Sequence, residues 1–201
     1  MTTLNYDILE VGEDFVYGRL SIPSTFDLYE EITEEVDEYE LEEGELGHED
    51  GPDARNAEIR SSTIHWLTDE CETTKAATTA LVDQINEDYF DIHAPEAPDW
   101  QWTTYSDPDD HYDWHQDHYA DEELDDDNFV RTLSISICMS PSEVYKGAEF
   151  FIKDGSETNV RVFKMGFGDF IVFPSDVEHR VNALREGERE SLVVWYGYTQ
   201  N

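Results

Sequence analysis

Two cysteines, four lysines and no long apolar run set the first limits on this chain of 201 residues. Cys71 and Cys138 belong to no CxxC or Cys/His cluster, which excludes a disulfide framework and a thiolate metal site and points to two buried thiols in a reducing compartment. No stretch approaches the roughly eighteen apolar residues that span a bilayer. The opening "MTTLNYDILEVGEDF" has acids where a signal peptide needs a basic start and an apolar stretch. The expectation is a soluble, cytoplasmic protein without a membrane partner. Bases are scarce as well, 12 against 49 acids. Arg180, Arg185 and Arg189 come closest to a group, but Glu186, Glu188 and Glu190 alternate with the last of them, so there is no patch for nucleic-acid phosphates.

What is present argues for a folded domain. The net charge of -37 and mean hydropathy of -0.66 lean toward disorder, but five Trp, eleven Tyr and ten Phe supply a core. The length suits a single domain over residues 1–201. Acids are spread along the whole chain rather than confined to a tail, a pattern of surface adaptation to high salt that fits a halophile or a virus infecting one.

Hydrophobic period divides the chain in two. Residues 1–99 read as a helical N-terminal part. Tyr29, Ile32, Val36 and Tyr39 predict an amphipathic helix over 25–40, with Ser24 and Asp27 as its capping pair and a solvated acidic outer face. An acidic loop follows at 41–57, then a short strand in "RSSTIHWL" and a second helix carrying Ala77, Leu81, Ile85 and Tyr89. From residue 100 to 198, eight short strands are separated by turn residues. The expected fold is mostly β with N-terminal helices: a double-stranded β-helix, or jelly roll, with helices packed on one face.

With so many acids, His-x-acid matches arise by chance, and there are three: "HED" at 48–50, "HYD" at 111–113 and "HQD" at 115–117. The first lies in the acidic loop, a poor place for a ligand pair. The other two lie on one strand candidate, where period two puts His111 with Asp113, and His115 with Asp117, on a shared face. Periodicity alone does not choose between them. His179 begins a later strand after the turn "PSDVE". Two ligands from one strand and one from a distant strand make the two-His, one-carboxylate arrangement of non-haem Fe(II) oxygenases. Arg189, ten residues after His179, points into such a barrel only if an anion meets it, and a dicarboxylate is a natural one. Ser191 points the same way.

At this point the chain resembles the prolyl 4-hydroxylase-like family of Fe(II)/2-oxoglutarate dioxygenases, in particular its bacterial and phage (PKHD-type) branch. The resemblance runs over residues 58–198, through "RSSTIHWL", "WTTYSDPDDHYDWHQD", "RTLSISICMS", "YKGAEFFI", "GDFIVFPSDVEHRV" and "GERESLVVW" in family order. It implies that His115, Asp117 and His179 hold Fe(II), with His111 and His118 left at the surface. It also implies that Arg189 pairs with the distal carboxylate of 2-oxoglutarate and that Tyr105 and Ser191 line the same pocket. The activity implied is hydroxylation of a peptide, at a prolyl residue, or of a small molecule. It would be coupled to conversion of 2-oxoglutarate and O2 to succinate and CO2, with ascorbate as reductant. "KGAE" departs from the family's usual Gly-Gly, so Ala148 is expected to crowd the pocket slightly. A jelly-roll binding protein with a vestigial site and a cupin-like metal enzyme are the competing readings.

Overall fold

The computed structural model describes residues 4–36, 42–43, 59–118 and 128–200. Two strands open the chain, β1 (Tyr6–Val11) and β2 (Val16–Leu20), followed by α1 (Ile22–Val36) and the short strands β3 (Glu42–Glu43), β4 (Arg60–Ser61) and β5 (Thr63–Trp66). Helix α2 (Glu72–Ile85) leads to β6 (Glu96–Tyr105), β7 (His111–His115), β8 (Phe129–Cys138) and β9 (Tyr145–Gly147). The last strands are β10 (Phe150–Lys153), β11 (Val160–Phe163), β12 (Asp169–Pro174), β13 (His179–Val181), β14 (Leu184–Gly187) and β15 (Arg189–Thr199).

The strands form a larger sheet, ordered β1-β2-β12-β8-β15-β6-β5-β3, and a smaller one, ordered β11-β10-β13-β7-β4; β14 pairs with β9. Each central strand of the larger sheet carries two alternating sets of side chains. Trp100, Trp102, Leu133, Ile135, Ile137, Phe170, Val172, Leu192 and Val194 face outward and pack with Leu28 and Ile32 of α1 and Ala77, Leu81 and Ile85 of α2. The opposite face meets the smaller sheet, where Phe15, Tyr105, Ile171 and Phe173 pack with Phe150, Ile152, Phe163 and Val181. This is the expected jelly roll with helices on one face, and both cysteines are free and buried as expected.

Several local expectations are corrected. The segment 1–99 is not wholly helical, because β1 and β2 join the edge of the larger sheet beside β12. Its strand pattern was hidden by acids and glycine, with half of β1 facing solvent. Residues 42–43 of the anticipated acidic loop pair with β5; "HED" and Tyr39 lie outside the described residues. The first helix starts at Ile22, and its cap is Ser21, whose Oγ accepts from the Ser24 backbone N–H at 3.4 Å.

The acidic face of α1 is not simply solvated. Glu35, 3% exposed, accepts hydrogen bonds from Thr68 N at 2.7 Å, Thr68 Oγ1 at 3.1 Å, Cys71 Sγ at 3.2 Å and His65 Nε2 at 3.0 Å. Burial alone would raise the Glu35 carboxyl, and those four donors bring it below its ordinary range. Glu31 accepts from Thr73 N and Thr74 N, capping the first turn of α2. Two glutamates of one helix thus fasten the next.

Candidate metal and dicarboxylate site

Strand β7 carries His115 at its end and β13 carries His179 at its start, and the two residues are direct partners across the ladder. Asp117 lies two residues past β7 rather than on it, so a shared strand face is not what brings it in. Backbone N–H groups of Asp117 and His118 both donate to the Ser175 carbonyl at 2.9 Å, and Ser175 Oγ is hydrogen-bonded to Ser134 Oγ at 2.8 Å. The turn before β13 therefore fixes Asp117 and His179 together.

The three ligand atoms lie within 4.8 Å of one another. His115 Nε2 is 3.6 Å from one Asp117 oxygen and His179 Nε2 is 3.6 Å from the other. Each imidazole has its Nδ1 on a backbone carbonyl, His115 on Asp113 O at 2.7 Å and His179 on Val177 O at 3.0 Å. A carbonyl only accepts, so Nδ1 carries the proton and Nε2 keeps a lone pair aimed at the shared centre. Burial and the neighbouring His115 lower His179 to about 4, with Asp117 opposing. Burial pushes the Asp117 carboxyl up, but His179 and His115 outweigh it and hold it well below the usual carboxylate range. Two neutral imidazoles and one carboxylate are the donor set that Fe(II) takes, with positions left open.

Arg189 opens β15 and is 1% exposed. Its Nη1 donates to Ser191 Oγ at 3.3 Å, its Nη2 lies 4.0 Å from the Met165 sulfur, the Tyr145 hydroxyl is a further hydrogen-bonding neighbour, and its Nε has no partner. The guanidinium lies 5.6 Å from the Tyr105 ring centre. No carboxylate pairs with it among the described residues, so a buried cation faces the cavity with donors unused. That cavity is also lined by Tyr105, Ser191, His115, Asp117 and His179, so all six residues anticipated for the site meet in one place. Alternation along β15 and β6 explains why: Arg189 and Ser191 share a face, and Arg189 pairs with Tyr105 across the ladder.

Other placements differ. His111 and Asp113 stay outside the cluster, His111 with its Nδ1 on the Asp109 carbonyl. His118 is half-buried with Nδ1 on Arg131 O at 3.0 Å, not a plain surface residue. Ala148 is buried but does not line the cavity; its departure from glycine shows instead in a φ of +50°, a backbone conformation that favours glycine. Arg60, Gln101 and Trp195, to which no motif assigned a role, also line the cavity, as does Tyr112, a strand tyrosine whose sequence position suits core packing as well as ligand binding. Parity on β6 and β15 was the available clue, since Gln101 and Trp195 are in phase with Tyr105 and Arg189.

Residues 100–197 match the family profile of the 2OG-Fe(II) oxygenase superfamily. Over that segment, just under half of the chain, the sequence is that of a 2OG-Fe(II) oxygenase. Within it, the similarity is to the prolyl hydroxylase-like, PKHD-type branch. A PKHD-type hydroxylase of Idiomarina loihiensis is 34% identical over 85 residues, which are 41% of this chain and 38% of that protein. One of Psychrobacter sp. is 32% identical over 85 residues, covering 42% of this chain and 32% of the relative. The chain thus matches well under half the length of these curated relatives. Among solved structures, a Pseudomonas putida prolyl-4-hydroxylase superposes with a TM-score of 0.66 at 20% identity, over 94% of each chain. A Trichoplax adhaerens prolyl hydroxylase in complex with a hypoxia inducible factor peptide fragment gives 0.72 at 15% identity, over 92% of this chain and 84% of that one. At such identities these two establish the jelly-roll fold.

Proposed function

We propose that the chain is an Fe(II)/2-oxoglutarate-dependent dioxygenase that hydroxylates a peptidyl prolyl residue. The observation that carries the cosubstrate is Arg189, a buried guanidinium with no acidic partner among the described residues, sharing its cavity with two histidines and an aspartate. His115, Asp117 and His179 would hold the metal through Nε2, a carboxylate oxygen and Nε2. Arg189 would take the distal carboxylate of 2-oxoglutarate in a charge-assisted fork, with Ser191 Oγ and the Tyr105 hydroxyl as further hydrogen-bonding groups. Fe(II) bound there supplies activation of O2 coupled to decarboxylation of 2-oxoglutarate, one oxygen atom ending in succinate and the other in the product. Phe150, Phe173 and Val181 wall the cavity and exclude water. Ascorbate would serve as reductant.

For the substrate, the PKHD-type relatives and the prolyl hydroxylase neighbours support a peptide over a nucleic acid, and the scarcity of basic residues, 12 against 49 acids, argues the same way. Two free, buried thiols suit a cytoplasmic setting. The test combines succinate release with mass spectrometry of proline-containing peptides, beside single-stranded DNA and RNA. We expect 2-oxoglutarate turnover that depends on Asp117 and a gain of one oxygen atom on a proline. Stimulation by an oligonucleotide and by no peptide would overturn the substrate assignment, and no succinate with any iron-loaded sample would overturn the activity.

A further inference from the structure

Tyr112 and His115 are three residues apart on β7, and a regular strand would put them on opposite faces. Here they face the same way. Across the ladder His179 pairs with His115 and Val181 with Tyr112, so three steps on β7 oppose two on β13. The extra residue is a β-bulge, a device that re-aims side chains beside functional sites. Its result is that the Tyr112 ring lies on the His115 imidazole, centroids 3.4 Å apart and planes 10° from parallel.

Tyr112 is held in turn. Its direct partner on β4 is Arg60, whose guanidinium sits 4.8 Å from the tyrosine ring centre. With His115 against one face of the ring, the other is left to the guanidinium. Arg60 is 7% exposed and fixed by Nε donating to Ser62 Oγ at 3.0 Å and Nη2 donating to Gln101 Oε1 at 2.7 Å. Thr103 Oγ1 donates to the same Gln101 oxygen at 3.0 Å. A column therefore runs from the β6 amide through Arg60, both buried, to the half-buried Tyr112 and His115.

We infer that Arg60 and Tyr112 are positioning residues that hold the His115 ring in its metal-binding orientation, the bulge in β7 being what lets the stack form. This rests on the reading of His115 as a metal ligand. His179 is clamped by Phe150 and Phe173, at 5.6 and 4.5 Å between centroids. His115, at the strand end, has the Asp113 carbonyl, His179 and the Tyr112 face. Losing that face frees rotation about its Cβ–Cγ bond, so the cost falls on metal affinity.

The test titrates the metal-free full chain anaerobically with Co(II), without 2-oxoglutarate, following the visible ligand-field bands. Partners that orient a ligand change metal affinity by about 10–100-fold when lost. Tyr112→Leu is expected to bind Co(II) at least about tenfold more weakly with altered bands. Tyr112→Phe, which keeps the ring, should retain the wild-type spectrum and bind within about threefold of wild type, and Arg60→Met should shift both readouts in the same direction as Tyr112→Leu. Wild-type affinity and bands in Tyr112→Leu would overturn the inference. If that variant does not fold, wild-type affinity and bands in Arg60→Met would do so. A wild-type chain that takes up no Co(II) would overturn the ligand reading itself, and the inference with it.

Discussion

Arg189 is the residue whose chemistry is least explained by packing. A guanidinium buried without a carboxylate costs folding free energy that a bound anion would recover. Arg189→Met should therefore separate two quantities: binding of 2-oxoglutarate by calorimetry weakens by about 2–5 kcal/mol, as expected for truncating one partner of a buried charge pair, while the ligand-free protein melts no lower than wild type. A variant that melts much lower with unchanged 2-oxoglutarate affinity would make Arg189 structural. Cys71 offers a second residue-level expectation. Burial, then the hydrogen bond to Glu35, pushes its thiol up to about 12. A thiol raised in the fold contributes stability that is present at neutral pH and lost as pH climbs from the ordinary thiol range toward 12. In practice Cys71 should resist iodoacetamide at pH 8 in the native protein and react once denaturant opens α1 from α2. Rapid native labelling of Cys71 would contradict its burial.

Among the elements, α1 shows where acid composition misleads. Its hydrophobic period predicted the helix and Ile32 of its buried face, but nothing in a run of glutamates marks Glu35 as buried or Glu31 as the cap of α2, because both gain their partners from Thr68, Cys71, Thr73 and Thr74, some forty positions on. Glu35→Ala leaves buried donors unpaired, so a loss of about 2–3 kcal/mol in urea unfolding is expected, where Glu34→Ala should be near neutral. The turn after β9 gives the opposite sign. Ala148 is at φ +50°, so Ala148→Gly should stabilise by about 1 kcal/mol. Eight of the ten strands from β6 to β15 were legible from period and turn residues; the short β9 and β14, which pair only with each other, were not. The choice of His115 over His111 was not, since both pairs fit period two; the family resemblance chose it, and the bulge in β7, invisible in one sequence, is the physical reason His115 is the inward one. Asp117 reached the site through the Ser175 carbonyl, a contact no local pattern encodes.

For the whole molecule, charge is the dominant fact. Several described bases are engaged with acids, as in Arg19 with Asp169, Lys153 with Glu157 and Glu178, Arg161 with Glu10, and Arg131 with Asp99. The more exposed of these, such as Arg161 with Glu10, contribute little, and the excess of acids repels itself at low ionic strength. Salt at about 1 M shortens the screening length to about 3 Å. The melting temperature is therefore expected to climb steeply with NaCl between about 0.1 and 2 M; a flat curve would leave the acidity without a role in stability. The larger sheet adds a different consequence. Every central strand has two tracks: Leu192 and Val194 of β15 belong to the helix-covered core, Arg189, Ser191, Val193 and Trp195 to the cavity. Stability and reactivity are thus written on alternate letters of the same word. A library varied at Val193 and Trp195 changes what the cavity accepts while leaving the helix packing intact, and one varied at Leu192 and Val194 loosens the fold without touching the chemistry. Plotted along β15, tolerance for folding and tolerance for turnover should oscillate out of phase.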